Sequence, residues 1–134
     1  MRVDVEIYVV DAHSLVWFIA EDQQLSKPAE RILDQAEEGQ VLVLVPTIVL
    51  AEITYIAQKK RVKVTIEEVL RRIERGDGFS VVPFDFALFQ VMFQLPQEWD
   101  IHDRIIAATA RYYRARLITR DETLRDSTEV ETVW

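Results

Sequence analysis

Val41-Leu42-Val43-Leu44-Val45 is an unbroken apolar run held between Gln40 and Pro46. A strand with one wet face alternates apolar and polar side chains. A continuous run belongs to a strand covered on both faces, as in a parallel sheet. Ile7-Tyr8-Val9-Val10, Phe79–Val82 and Ala115–Thr119 read as further strands, and Val130–Trp134 as a last, short one. Between them the apolar residues recur at helical spacing. His13–Ala20 carries Leu15, Val16, Trp17, Phe18 and Ile19. Ser26 caps a second helix with Pro28 in its first turn, and Gly39 closes it. Thr47 is expected to cap a helix reaching Lys59, and Thr65-x-x-Glu68 is a capping box for the next. Gly76-Asp77-Gly78 is a turn, and helices over Asp85–Phe93 and Ile101–Tyr113 complete the set. The order β-α-α-β-α-α-β-α-α-β-(α)-β predicts an α/β fold around a mostly parallel central sheet.

With 134 residues, 49% of them apolar and 29% charged, the chain reads as one domain, 1–134, with a sizeable core. It has no cysteine, which removes thiol chemistry, disulfides and thiolate-bound zinc. No apolar run approaches the roughly 18 residues of a membrane span. The opening Met1-Arg2-Val3-Asp4-Val5-Glu6 lacks a signal-peptide layout, so a cytoplasmic setting is expected. The three glycines, Gly39, Gly76 and Gly78, form no phosphate-cradling loop. The net charge of −7 argues against holding nucleic acid by bulk charge. Two blocks, 59–75 and 104–125, are nevertheless each net +4. Lys59, Lys60, Arg61 and Lys63 in the first, and Arg104, Arg111, Arg114, Arg116 and Arg120 in the second, are the candidates for phosphate contacts. A pair of solvated helix faces is the alternative.

Ligands of open α/β sheets bind beyond the carboxyl ends of the strands. Asp11 follows the first strand directly and Asp121 follows the fourth. Glu52 lies in the helix after the second strand, among Leu50, Ala51 and Ile53, and Asp103 opens the helix 101–113. Each has a plain structural alternative. Asp11 and Asp121 suit turns or caps, Glu52 a partly exposed helix face, and Asp103 the first turn of a helix capped by Asp100. If the four converge, their charges repel, and a hard divalent ion such as Mg²⁺ or Mn²⁺ relieves the repulsion. An ion so held typically activates water and steadies charge on a phosphate, which points to a nuclease or phosphatase. A phospho-accepting receiver domain needs a late lysine, and residues 76–134 contain none. A haloacid-type phosphatase needs Asp-x-Asp, and Asp11-Ala12-His13 lacks the second acid.

The same segments carry a resemblance. Val10-Asp11-Ala12-His13-Ser14-Leu15-Val16-Trp17 resembles the opening of a PIN domain of the VapC toxin type. Pro46-Thr47-Ile48-Val49-Leu50-Ala51-Glu52-Ile53 is similar to that family's second acidic segment. Asp100-Ile101-His102-Asp103-Arg104, running into Ile105-Ile106-Ala107-Ala108-Thr109-Ala110, resembles its Asp-Arg helix. Leu117-Ile118-Thr119-Arg120-Asp121 resembles its fourth segment, and Thr132-Val133-Trp134 its ending. The resemblance implies a three-layer α/β/α fold and an Mg²⁺- or Mn²⁺-dependent endoribonuclease, the toxin of a type II toxin–antitoxin pair. It implies Asp11, Glu52, Asp103 and Asp121 as metal-binding catalytic acids, with Thr119 and Asp100 supporting them. His13, two residues past Asp11, is placed to support the site as well, with a structural role at the helix start as the alternative. Ala12 stands where many relatives carry a hydroxyl, and Ile101-His102 replaces a common Pro-Phe, which sets an imidazole beside Asp103 as a possible proton donor. RNA and a cognate antitoxin protein are the implied partners. A PIN-fold nuclease of RNA processing, or an inactive nucleic-acid-binding module of this fold, is the alternative. Trp17, Phe18, Phe84, Phe86, Phe89 and Phe93 are too many aromatics for the inward stripes of so few helices, and a homodimer is expected to cover the surplus.

Overall fold

The computed structural model describes residues 5–134; the first four residues of the acid-bearing opening lie outside it. The elements run β1 (Ile7–Val10), α1 (Ala12–Ala20), α2 (Lys27–Glu37), β2 (Leu42–Pro46), α3 (Thr47–Gln58), α4 (Ile66–Arg75), β3 (Phe79–Val82), α5 (Phe86–Phe93), α6 (Ile101–Tyr113), β4 (Arg116–Ile118), α7 (Glu122–Arg125) and β5 (Thr132–Val133). The five strands form one sheet in the order β3-β2-β1-β4-β5, and every pairing is parallel. The sheet is thus wholly rather than mostly parallel. Val9 pairs with Leu44 on one side and Leu117 on the other, so the apolar runs of β1, β2 and β4 lie side by side at its centre.

Strand order and the right-handed crossover fix the layers. The chain steps one way from β1 to β2 to β3, which puts α1 to α4 on one face. It then returns across the sheet to β4 and on to β5, which puts α5 to α7 on the other. The packing agrees: α1 contacts α2, α3 and α4, while α5 packs on α6 and α6 lies on β1 and β4. Covered on both faces, the inner strands are buried almost throughout. α6 is buried at every residue from Ile105 to Ala110, and small side chains let it approach the sheet closely. Each fully buried Leu or Ile, such as Leu117 or Ile53, contributes about 2 kcal/mol through removal from water. Arg72 locks the helical layer by donating through Nε and Nη2 to the two carboxylate oxygens of Glu37, at 3.0 and 2.9 Å.

Ser26 and Thr65 cap α2 and α4 as the sequence predicts, accepting from the backbone N–H of Ala29 and Glu68. Thr47 does not cap α3. It is the first helical residue, and the preceding Pro46, still paired in β2, takes the cap position without a side-chain bond. Trp17 and Phe18 differ from expectation as well. Both are buried, because α1 is enclosed by three other helices, and Trp134 packs edge-on against Trp17 at 6.1 Å. The surplus aromatics are those around α5: Phe84, Phe86, Phe89 and Phe93 are all exposed. No helix among the described residues is long and apolar enough to cross a membrane.

Two glycines hold the approach to the edge strand. Gly39 has φ +77°, a left-handed conformation that releases the chain from α2. Gly78 sits so close to its neighbours that an added Cβ would lie 2.2 Å from the carbonyl oxygen of Val41 and 2.5 Å from that of Ala36. Neither backbone atom can step aside without disturbing α2 or β2. Gly78→Ala is therefore expected to cost about 2 kcal/mol or more, read as a Tm lower by roughly 5–10 °C. An unchanged Tm would show that the β2–β3 edge is looser than described.

Candidate active site

Helices leave β1 and β4, neighbours in the sheet, toward opposite faces. A crevice opens at the carboxyl ends of two such strands, and here it is a cleft of about 360 Å³. Asp11, Glu52, Asp103 and Asp121 all line it, as do Asp100, His13 and His102. The fold has therefore gathered the acids from four separate segments.

Each acid is placed by local backbone chemistry. Asp11 is the N-cap of α1, with Oδ1 accepting from the N–H of Ser14 at 3.0 Å. Asp121 caps α7, accepting from the N–H of Leu124 at 3.1 Å. Asp100 caps α6, accepting from the N–H of His102 at 2.9 Å. The capping role and the site role are thus held by the same residues: a cap uses one carboxylate oxygen and leaves the other to the cleft. Thr119, fully buried, accepts from the N–H of Asp121 at 3.1 Å and so fixes the turn that presents it. Asp103 lies in the first turn of α6 and Glu52 midway along α3, both partly buried.

The crowding is visible in proton affinity. Asp103 is pushed up to about 6, first by burial and then by Asp121, Asp100, Asp11 and Glu52. Glu52 is also raised, by burial first, with Asp11 and Asp100 adding to the effect and His102 and His13 opposing it. The four acids share the cleft but do not close on one point. Among the described residues no three Asp, Glu or His side chains stand as a ready ligand set for an ion. Capping bonds fix Asp11 and Asp121 at their helix ends, and like charges disfavour closer approach unless a cation intervenes.

The basic candidates divide sharply. Arg104 is turned to α5, donating through Nη2 to the carbonyl of Met92 at 3.3 Å, with its Nε buried and unpartnered. Arg111 pairs with Glu129 at 2.9 Å, and Arg116 donates to the Tyr8 hydroxyl at 2.8 Å beside Glu6. Of the second block only Arg120 reaches the cleft, with its guanidinium 4.5 Å from the Trp17 ring centre. Lys59, Lys60 and Arg61 are exposed where α3 ends, and Arg61 borders an adjoining groove. His13 makes no side-chain hydrogen bond among the described residues; its ring tilts against Trp17 at 5.6 Å. His102 sets Nδ1 3.3 Å from Asp100.

Ser14 went unremarked in the sequence. Its hydroxyl is buried at the cleft wall without a hydrogen-bond partner, one helical turn from Asp11. The spacing Asp11-x-x-Ser14 signals only a cap, so nothing marked the hydroxyl as part of the site. The donor set is entirely oxygen and imidazole, with five carboxylates and an unused hydroxyl. That chemistry suits a hard divalent ion and its waters.

Because Asp103 holds its proton to about 6 rather than the ordinary 3.8, the folded chain binds that proton more tightly than the unfolded chain. Its effect is a stability lost as pH rises from about 4 through 6. Without added divalent ion, Asp103→Asn is expected to stabilise the protein at pH 7.5. Partial exposure screens the repulsion, so the gain is about 1–2 kcal/mol, and it should vanish near pH 4. Melting curves at the two pH values check this; equal effects at both would refute the crowding.

Similarity to known proteins follows the same architecture. Ribonuclease VapC22 of Mycobacterium tuberculosis (strain ATCC 25618 / H37Rv) is 28% identical over 130 residues, which span 94% of this chain and 97% of that protein. The crystal structure of VapBC2 from Rickettsia felis, bound to a DNA fragment from its promoter, superposes with a TM-score of 0.70 at 17% identity, over 95% of this chain and 97% of the other. A toxin–antitoxin complex from Klebsiella pneumoniae gives 0.65 at 19% identity, over 95% and 96%. These structural likenesses establish the fold. The PIN domain pattern itself matches residues 8–129, from β1 to the approach to β5, and the chain belongs to the PIN domain family.

Proposed function

We propose that this protein is a metal-dependent endoribonuclease acting in the cytoplasm as the toxin of a toxin–antitoxin pair. The observation that carries the reading is the gathering of Asp11, Glu52, Asp103 and Asp121 into one cleft at the sheet's carboxyl end. The relative named Ribonuclease VapC22 supports the ribonuclease assignment, and the toxin–antitoxin complexes of the same fold support an antitoxin partner. An inactive binding module would have no use for four acids held together at a cost in stability.

Asp11, Glu52, Asp103 and Asp121 are the residues that would hold Mg²⁺ or Mn²⁺. When bound, such an ion supplies Lewis acidity toward a phosphodiester and neutralises the cleft. The chain's own contributions are positional and electrostatic. Capping bonds fix Asp11 and Asp121, and buried Thr119 fixes the Asp121 turn. Asp103 carries its proton on the carboxyl group up to about pH 6, so full negative charge develops only near neutrality. Arg120 sets a cation beside the acids and eases the approach of a polyanion. An antitoxin segment carrying arginine would pair with the same carboxylates and block the cleft.

A symmetric homodimer is part of the proposal. Phe86 and Phe93 are 71% and 65% exposed on α5, and Phe89 stacks between them at 6.2 Å from each. Exposed aromatics in such a row mark an interface. Light scattering at micromolar concentration is expected to give about twice the 15.7 kDa chain mass, and Phe93→Glu to shift it toward the monomer. A monomer in the unaltered protein would remove the dimer.

Hydrolysis is checked with labelled single-stranded RNA and DNA in Mn²⁺, with and without EDTA. RNA is expected to be cut, and EDTA to stop it. Asp11→Asn should lower the rate at least about 100-fold, since an amide binds a hard cation poorly. Full, EDTA-resistant cleavage by Asp11→Asn would overturn the assignment.

A further inference from the structure

Beside the acidic cleft runs a second groove of about 580 Å³. It shares Trp17, Glu52 and Arg120 with the cleft and continues to Tyr55 and Arg61. Tyr55 projects from α3 with 53% of its surface exposed. Lys59 Nζ and the Arg61 guanidinium lie 5.7 and 6.0 Å from its ring centre. At the cleft end, Arg120 lies over Trp17 and His13 tilts against the same indole. Among the described residues none of Lys59, Arg61 and Arg120 is paired with an acid.

Exposed Tyr55 with two cations beside it, and Arg120 over buried Trp17 nearer the acids, therefore mark one path that ends at the acidic cleft. A single nucleic-acid strand alternates flat bases and charged phosphates, and its binding sites combine aromatic faces with basic side chains. An acidic peptide would satisfy the cations but leave the Tyr55 face unused. A duplex keeps its bases stacked on one another and cannot reach the ring.

We propose that this groove is a binding subsite for an unpaired nucleotide next to the scissile bond. Its base stacks on Tyr55, and its flanking phosphates meet Lys59, Arg61 and Arg120. The inference rests on the ribonuclease reading and adds to it a structural demand on the substrate: the RNA must be single-stranded on the Tyr55 side of the cut.

The test uses ten-nucleotide RNAs carrying 2-aminopurine at each position in turn, bound to the full chain in EDTA so that binding is read without cleavage. Stacking on Tyr55 is expected to change the fluorescence at one position. Tyr55→Ala should abolish that signal and raise Kd about tenfold, while Tyr55→Phe keeps both. Arg61→Ala should weaken binding and reduce the slope of log Kd against log salt by about 0.7. The same sequence in a duplex should bind at least about tenfold more weakly. In Mn²⁺, Tyr55→Ala should raise KM about tenfold with kcat within about twofold. Wild-type Kd and fluorescence in both Tyr55→Ala and Arg61→Ala would overturn the subsite. So would a Tyr55→Ala protein that binds RNA normally but escapes inhibition by its antitoxin, since the groove would then seat a protein. Stacking without cleavage would leave the subsite standing and defeat the ribonuclease reading. Cleavage with an unaltered Tyr55→Ala would do the reverse, and RNA neither bound nor cut would defeat both.

Discussion

Mutual repulsion among carboxylates at the end of a parallel sheet is the constraint around which this molecule is arranged. Left free, Asp11, Glu52, Asp103 and Asp121 would turn toward water and apart. The fold denies them that freedom by giving two of them a second task. Asp11 and Asp121 must stay at their helix ends because the first turns of α1 and α7 need their oxygens. Asp103 sits in the opening turn of a helix that the sheet and α5 hold firmly. Burial first, and the repulsion added to it, raise Asp103 to about 6. On the proposed reading, a cation bound here would return the stability that the crowded acids cost, a common price of function.

Topology explains why the acids meet here. Reversal of the crossover direction between β1 and β4 leaves a crevice no helix can fill. The two strands on either side of it end in Asp11 and, two residues beyond Ile118-Thr119, Asp121. α3 and α6 come from opposite layers and touch at this end, which brings Glu52 and Asp103 in from the two sides. The same arrangement sets Trp17, buried by the α1 packing, under Arg120 at the mouth. A cation thereby stands at the entrance to an otherwise negative cleft.

Much of this was legible in the residues. Continuous apolar runs at β1 and β2 gave a parallel sheet because only burial on both faces tolerates them, and Ser26 and Thr65 gave helix starts through short-range chemistry. Asp11 and Asp121 were visible because a strand-end acid is a local pattern. What could not be read was partnership across the chain. Arg104, Arg111 and Arg116 look like free cations in a basic block, yet Met92, Glu129 and Tyr8 occupy them. Trp17 and Phe18 look like surplus aromatics, yet three helices close over them. Thr47 failed as a cap because Pro46 is still part of the strand. Ser14 and Tyr55 carried no sequence signal, since a lone serine after a cap and a lone tyrosine on a helix each have many ordinary uses.

The central claim is that the crowded carboxylates exist to take a divalent cation. Calorimetric titration of Mn²⁺ into the protein at pH 6, repeated in buffers of different ionisation enthalpy, measures ion affinity and proton release together. With Asp103 raised to about 6, the account predicts saturable binding that expels protons as the ion enters. It also predicts loss of the released proton in Asp103→Asn and of most of the affinity in Asp11→Asn. Binding unchanged in both variants, or no saturable binding at all, would contradict it.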